Sequence, residues 1–259
     1  MSAPQVQVQV HPDAEHLARA AAAQLAGRIA DAIAARGTAS LVLTGGGIGT
    51  RILAELDRDP VRDTIDWSRC DIWWGDERFL PEGDPERNET GARSALLDHV
   101  GVDPGRVHPM PGPDGPDGDD PEAAADRYAA ELRAAAPPGD GALPTFDVLL
   151  LGIGPEGHIA SLFPEMAAIH EKQRTVVAVR GCPKPPPTRL SLTFPAIESA
   201  REVWVLAAGA EKADAVALAL SSSDEAWVPA IGARGRQRTL FLLDEAAATE
   251  LPADLDPTS

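Results

Sequence analysis

The feature that most constrains this chain is a set of short apolar runs separated by longer helical segments. FDVLLLG (146–152) is the strongest, and SLVLT (40–44), CDIWW (70–74), TVVAVR (175–180), EVWVLAAG (202–209) and TLFLLD (239–244) repeat the theme. Side chains alternate between the two faces of a strand, so a run that is apolar at successive positions needs apolar cover on both faces. Between the runs lie helical stretches. PDAEHLARAAAAQLAGRIADAIAARG (12–37) ends near Gly37, a second helix runs from about Arg51 to Leu56, and a third spans roughly Glu89 to Val100. EAAADRYAAELRAAA (122–136) is a fourth, and a fifth follows GAEKA (209–213). Strands buried on both faces and alternating with helices predict an α/β fold: a doubly wound, mostly parallel sheet with helices on both faces, three layers in a single domain over residues 1–259. QVQVQV (5–10) alternates strictly and reads as a strand with one wet face. PGPDGPDGDDP (111–121) reads as a loop and not as a domain boundary, and no internal repeat is visible.

Composition narrows the classes of function. The 259 residues are 44% hydrophobic, enough for a substantial core. No stretch approaches the roughly 20 apolar residues that span a bilayer. No charged segment followed by an apolar one opens the chain, so no signal peptide is expected. Cys70 and Cys182 lie far apart and form neither a metal nor a redox spacing, and a cytoplasmic protein with reduced thiols is expected. The net charge of −17 disfavours nucleic acid and anionic membrane as partners, since both are bound through surplus Lys and Arg. A small anion remains possible where cations and backbone N–H groups converge. Lysine is rare, at Lys172, Lys184 and Lys212 only, so its positions are informative.

Four segments can carry chemistry. TGGGIGT (44–50) places Gly45, Gly46 and Gly47 between a strand and a helix, where backbone N–H groups and the helix N-terminus can face a phosphate. It is neither a Walker A motif nor a dinucleotide fingerprint, and a tight turn without ligand is the plain alternative. WWGDERFLP (73–81) sets Asp76, Glu77 and Arg78 directly after a strand, with Asn88 in the same loop. A solvated charge cluster is the ordinary meaning of such a triplet, but the carboxyl end of a strand is where open α/β sheets bind ligands. LLLGIGPEGHIASLFP (149–164) puts His158 after a glycine-punctuated turn, with Glu156 two residues before it. A carboxylate beside an imidazole fixes its tautomer and raises its basicity. His11, His16, His99, His108 and His170 have no such setting and read as surface or structural. Ser161 lacks a nucleophile elbow, and no metal-ligand set exists, so no metal and no cofactor are expected. CPKPPPTRLSLTFPAI (182–197) offers Lys184 and Arg189, and AAGAEKADAV (207–216) offers Lys212 at a strand-to-helix turn. Lys184 reads as a charge on a Pro-rich loop, whereas the context of Lys212 suits an anion.

Taken in order, GGG after the first core strand, WGDERFLP with Asn88 beyond it, LLGIGPEGHIASLFP, PPTRLSLT and GAEKA resemble the 6-phosphogluconolactonases over nearly the whole chain. The resemblance implies a glucosamine-6-phosphate deaminase/ribose-5-phosphate isomerase-like α/β fold. It also implies hydrolysis of 6-phospho-D-glucono-1,5-lactone, the second step of the oxidative pentose phosphate pathway. Carried over, it implies His158 as general base on water with Glu156 orienting it. It sets Gly45, Gly46, Gly47, Arg189 and Lys212 near the phosphate, and Asp76, Arg78 and Asn88 toward the sugar. Two positions depart from the family pattern: Glu156 stands where Asp is common, and Gly47 where Ser is common. Sugar-phosphate deaminase/isomerases share GHIA but typically continue into an acidic stretch, where this chain has SLFP. A non-catalytic sugar-phosphate sensor would usually add a DNA-binding helix-turn-helix, for which no segment is available before QVQV.

Overall fold

The computed structural model describes residues 5–137, 143–221, 226–252 and 255. In chain order the strands are β1 (Gln5–His11), β2 (Ala39–Leu43), β3 (Cys70–Trp74), β4 (Asp76–Arg78), β5 (Val148–Gly152), β6 (Val176–Val179), β7 (Arg189–Leu192), β8 (Glu202–Ala207) and β9 (Arg238–Asp244). The helices are α1 (Ala14–Arg36), α2 (Gly46–Arg58), α3 (Asn88–Ala95), α4 (Pro121–Ala134), the single turn α5 (Phe194–Ile197), and α6 (Ala213–Ser221). Six strands form one sheet in the order β1-β9-β8-β5-β2-β3, and every neighbouring pair is parallel.

Alternation along the strands builds two cores. Leu41 and Leu43, Ile72 and Trp74, Val148 and Leu150, Trp204 and Leu206, and Leu240 and Leu242 face one way, into a cluster with α1, α2 and α3. Val42, Trp73, Leu149, Leu151, Val203, Val205, Phe241 and Leu243 face the other way, into a cluster with α4, α5 and α6. This is the three-layer, mostly parallel α/β arrangement that the apolar runs predict. α1 begins where the Asp13 carboxylate accepts the N–H of His16, and it stops at Gly37, whose left-handed φ of 83° turns its N–H back to Ile33 O. Among the described residues, no helix is long and apolar enough to cross a membrane.

Three elements differ from expectation. α2 starts at Gly46, so the glycine run forms the helix's first turn and does not precede it. α3 ends at Ala95, and a 3-10 turn over Leu97–His99 takes up the rest of the expected helix. The third difference is a second sheet of order β4-β7-β6, antiparallel throughout, which lies against the second core. It contains the TVVAVR strand, expected in the main sheet, and the DER triplet, expected as loop.

The charged triplet can form a strand because its middle residue is neutralised by the backbone. Glu77, 1% exposed, accepts the N–H groups of Arg78 (2.8 Å), Asn88 (2.7 Å) and Glu89 (2.9 Å), which caps α3 from another element. Burial pushes the Glu77 carboxyl up to about 6, although Arg87 and those three N–H groups oppose the shift. A folded value above the ordinary 4.5 means the folded state binds this proton more readily than the unfolded chain does. The stabilisation is therefore fully present below pH 4.5 and is lost as pH rises through 6. The shift corresponds to on the order of 2 kcal/mol. Thermal unfolding of wild type and Glu77→Gln at several pH values tests this: the variant's stability relative to wild type should climb by about that amount from below pH 4.5 to above pH 6. A constant difference would uncouple Glu77 from the transition.

Candidate active site

The carboxyl ends of β2, β5, β8 and β9 open into a cleft of about 480 Å³. Its walls include the Gly45–Gly47 turn, Arg51, Gly152, Ile153, Gly209, Lys212 and Asp244. A second hollow of about 360 Å³ shares the same glycine turn and is lined by Arg78, Asn88, Pro185 and Pro186. The turn divides the two because Gly45 lies directly on Asn88: a Cβ at position 45 would overlap Asn88 Oδ1. Only glycine allows that approach. The N-terminus of the 13-residue helix α2 thus opens between the two hollows, with its free N–H groups and positive dipole end available to an anion. On the far wall, the Asp244 carboxylate at the end of β9 accepts the Gly209 N–H with both oxygens at 3.0 Å. This fixes the 3-10 turn Ala210–Lys212 that delivers Lys212. Burial lowers the Lys212 ammonium from its ordinary value, and the charge of Lys184 adds to that, against Glu211 and Glu156. A cation held in a partly dry site that also feels a second cation gains from a bound anion.

His158 sits at the end of a tight loop from β5. Gly154 N donates to His158 O at 2.9 Å and Gly157 N donates to Gly154 O at 2.9 Å, which closes the loop. The segment after residue 225 buttresses it, with Ala230 N donating to Gly157 O at 2.9 Å. Gly154 faces the imidazole so closely that a Cβ there would overlap His158 Nδ1. The ring stacks on Phe163 at 4.4 Å between centroids, and 15% of the side chain is exposed. Nδ1 lies 3.0 Å from Glu156 Oε1, but the pair is poorly aligned, and Nδ1 makes no well-formed hydrogen bond. The other carboxylate oxygen, Oε2, accepts from Lys184 Nζ at 2.9 Å. Burial pulls the imidazole down to about 4; Glu156 and Asp76 pull up, and Lys184 pulls down. The ring is neutral at physiological pH.

The remaining sequence candidates separate. Asp76 is buried, with Oδ2 accepting from Ser161 Oγ at 2.7 Å, so Ser161 belongs to the scaffold. Asn88 is buried too and donates through Nδ2 to Asp76 O at 2.9 Å and Oδ1 at 3.3 Å. Asp76 braces the segment after His158, and Asn88, which also lines the smaller hollow, braces the glycine turn. Arg78 donates through Nη1 to Glu86 O and lines the smaller hollow, with its Nε unpartnered.

Arg189, expected beside the phosphate, lines neither of these two hollows. It is 4% exposed, donates to Pro186 O, Lys184 O and Pro185 O at 3.2 Å each, and lies over Phe163. A proline run offers carbonyls with few N–H groups to satisfy them, and Arg189 supplies the missing donors, clamping the Lys184 loop. Arg51, not picked out from the sequence, lines the larger cleft opposite Lys212. Its signal was its place in the first turns of the helix after the glycine run. A larger hollow, about 680 Å³, is at the opposite edge of the sheet, and its charged groups include paired ones (Arg36 with Asp147, Arg106 with Asp71). Among the described residues, no group of three or more His, Cys, Asp or Glu is arranged to hold a metal ion.

Known proteins with this arrangement fall in one group. Residues 12–242 match the family described as glucosamine-6-phosphate isomerases/6-phosphogluconolactonase. The chain is 62% identical over 252 residues to a 6-phosphogluconolactonase of Streptomyces coelicolor, covering 97% of each chain. It is 52% identical to one of Mycobacterium tuberculosis, covering 95% of this chain and 98% of that one. Among solved structures, the 6-phosphogluconolactonase of Trypanosoma brucei superposes with a TM-score of 0.82 at 28% identity, covering 96% of this chain and all of the other. A monomeric glucosamine-6-phosphate deaminase, at 23% identity and a TM-score of 0.77, shares the fold.

The close approach at Gly154 yields a direct test. Gly154→Ala should preserve the far-UV circular dichroism while driving the imidazole outward. Relieved of burial, His158 should then titrate well above about 4 and toward the ordinary 6.5, as read from its ring Cε1–H resonance. An unchanged midpoint would show that the loop accommodates the methyl without moving the ring.

Proposed function

The chain belongs to the glucosamine-6-phosphate isomerase/6-phosphogluconolactonase family, and we propose that it hydrolyses 6-phospho-D-glucono-1,5-lactone to 6-phospho-D-gluconate with His158 as general base. The observation that carries the proposal is a neutral, largely buried imidazole on the loop that leaves β5, whose end residues Gly152 and Ile153 line the cleft that holds Arg51 and Lys212. The substrate has matching ends: a phosphate that needs cations, and an activated ester that needs only a base and water. Lys212, Arg51 and the N–H groups of the Gly45–Gly47 turn form the phosphate end. Arg78, in the adjoining hollow, faces the lactone end.

His158 Nε2 takes a proton from a water whose oxygen bonds to C1, while the carbonyl π pair moves onto the carbonyl oxygen. Donors directed at that oxyanion lower the barrier, and Arg78 is the cation suited to it. When the intermediate collapses, the bond from C1 to the ring oxygen breaks and that oxygen receives the proton held by His158. The new carboxylic acid then ionises. Every step uses the chain, the substrate and water. Glu156 steadies the imidazolium between the two proton transfers. The strong acidity of the chain and its small anionic substrate fit work in the cytoplasm away from nucleic acid and membrane.

His158→Ala should lower kcat at least about 10²-fold while leaving 6-phosphogluconate binding largely intact, because a positioned base acts on the chemical step. Near-wild-type turnover by the folded variant would remove His158 from the mechanism.

Lys212→Ala should cost on the order of 1.5–3 kcal/mol in kcat/KM on the phosphorylated lactone. The cost should nearly vanish on unphosphorylated gluconolactone, which has no charge to hold. Equal losses on both substrates would assign Lys212 to the fold or the chemistry and not to the phosphate.

A further inference from the structure

Lys184 has no place in the mechanism so far, yet it touches the residue that orients the base. Its Nζ lies 2.9 Å from Glu156 Oε2, while Oε1 of the same carboxylate lies 3.0 Å from His158 Nδ1 without a well-formed hydrogen bond. One carboxylate is therefore shared between an ammonium and an imidazole, and the ammonium has the better geometry. The backbone beneath Lys184 is fixed by the three carbonyl contacts of Arg189, so the side chain, 40% exposed, is the part free to move. Its ammonium is near enough to Lys212, in the larger cleft, to lower that lysine's proton affinity, which sets it beside the phosphate end proposed there. A partly exposed ion pair is weakly held, and a phosphate carries more charge than a carboxylate.

We propose that Lys184 is a substrate-responsive positioning residue: in the free enzyme it occupies Glu156, and the arriving phosphate draws it off, releasing Glu156 to hydrogen-bond Nδ1 of His158. This deepens the general-base reading and rests on it for its catalytic meaning. The groups facing the imidazole are consistent with it. Glu156 and Asp76 raise the proton affinity of His158, Lys184 lowers it, Phe163 stacks on the ring, and burial holds the free value near 4. A base of such low affinity removes protons poorly. Moving one cation from the carboxylate to the phosphate raises its affinity only when substrate is present, which keeps the base strong at the moment of use. Glu156 is suited to the exchange: with one more methylene than Asp, about 1.5 Å more reach, it spans both partners.

The sign of one measurement separates this role from that of a scaffold. With ring-labelled histidine, the His158 Cε1–H resonance is followed against pH in free protein and in saturating inorganic phosphate, for wild type, Lys184→Met, Lys184→Arg and Glu156→Gln. Wild type should start near 4, and phosphate should raise the midpoint by about one unit or more. In Lys184→Met the free midpoint should already be raised and phosphate should add little; Lys184→Arg should follow wild type. In Glu156→Gln the phosphate response should shrink to a fraction of the wild-type shift.

If Lys184 merely holds Glu156 in place, Lys184→Met frees the carboxylate to wander and the midpoint stays or falls; that result overturns the proposal. So does a full phosphate response in Glu156→Gln, which would mean that the anion acts on the imidazole directly. The Glu156→Gln comparison still decides the matter if Lys184→Met does not fold. None of these readouts depends on turnover, so failure of His158 as the base, judged by His158→Ala, is a separate result.

Discussion

The site depends on one buried carboxylate. Glu77, buried at the centre of β4, gathers the N–H groups of Arg78, Asn88 and Glu89. With that contact in place, α3 starts where Asn88 can reach both the backbone and the side chain of Asp76. Asp76 in turn holds Ser161, on the segment just after His158, and Ser161 N donates to Ser191 Oγ in β7. Gly45 closes the circuit by resting on Asn88. One chain of buried polar contacts therefore runs from the small sheet through the glycine turn to the loop that carries the base. Buried polar groups linked in this way hold one another in place, and a missing member leaves its neighbours buried without partners.

In this strongly acidic protein, cations and helix-end N–H groups converge on one sheet edge while charges at the opposite edge pair with one another. Arg36 with Asp147 and Arg106 with Asp71 cancel across the larger hollow. At the carboxyl edge, Lys212, Arg51, Arg78 and Lys184 come from four different segments, and among the described residues only Lys184 of these has a close carboxylate partner, Glu156. Cavity size and chemical competence thus fall at opposite ends of the sheet. The surrounding negative charge also repels polyanions, which narrows the accessible ligands to those small enough to enter the cleft.

The main sheet was legible because burial on both faces leaves its mark on the strands that matter most. FDVLLLG, EVWVLAAG and TLFLLD carry apolar residues at successive positions, and both parities find a core. Of the second sheet only β6 left such a mark, and its place in a separate antiparallel sheet did not show. β4 is three charged residues whose strand character comes from a partner strand and from N–H groups more than ten positions away. His158, the glycine turn and Lys212 were legible because each follows a strand, and strand ends are where such folds bind. The burial of Arg189 was not legible because a side chain's charge shows in the sequence and its hydrogen-bond partners do not. The prolines just before it were the available clue, since their carbonyls lack neighbouring donors. Arg51 was passed over because one arginine within a helix has no local contrast, and only the packing of α2 against the sheet turns it toward the cleft.

The outer strand β1 pairs along its whole length with β9, so the two ends of the described chain meet within one sheet. Contacts this distant in sequence form late and slowly, since a large loop must close before any pairing offsets its entropy. During synthesis β1 emerges first and waits, alternating and half-polar, until β9 follows. Its glutamines keep that waiting strand soluble, where an all-apolar strand would invite pairing with other chains. Asp244, the last residue of β9, is also the carboxylate that sets the Gly209 turn. The anion cleft is therefore completed by the last strand to arrive, and a chain stalled before residue 244 would carry His158 in its loop with no fixed Lys212 opposite.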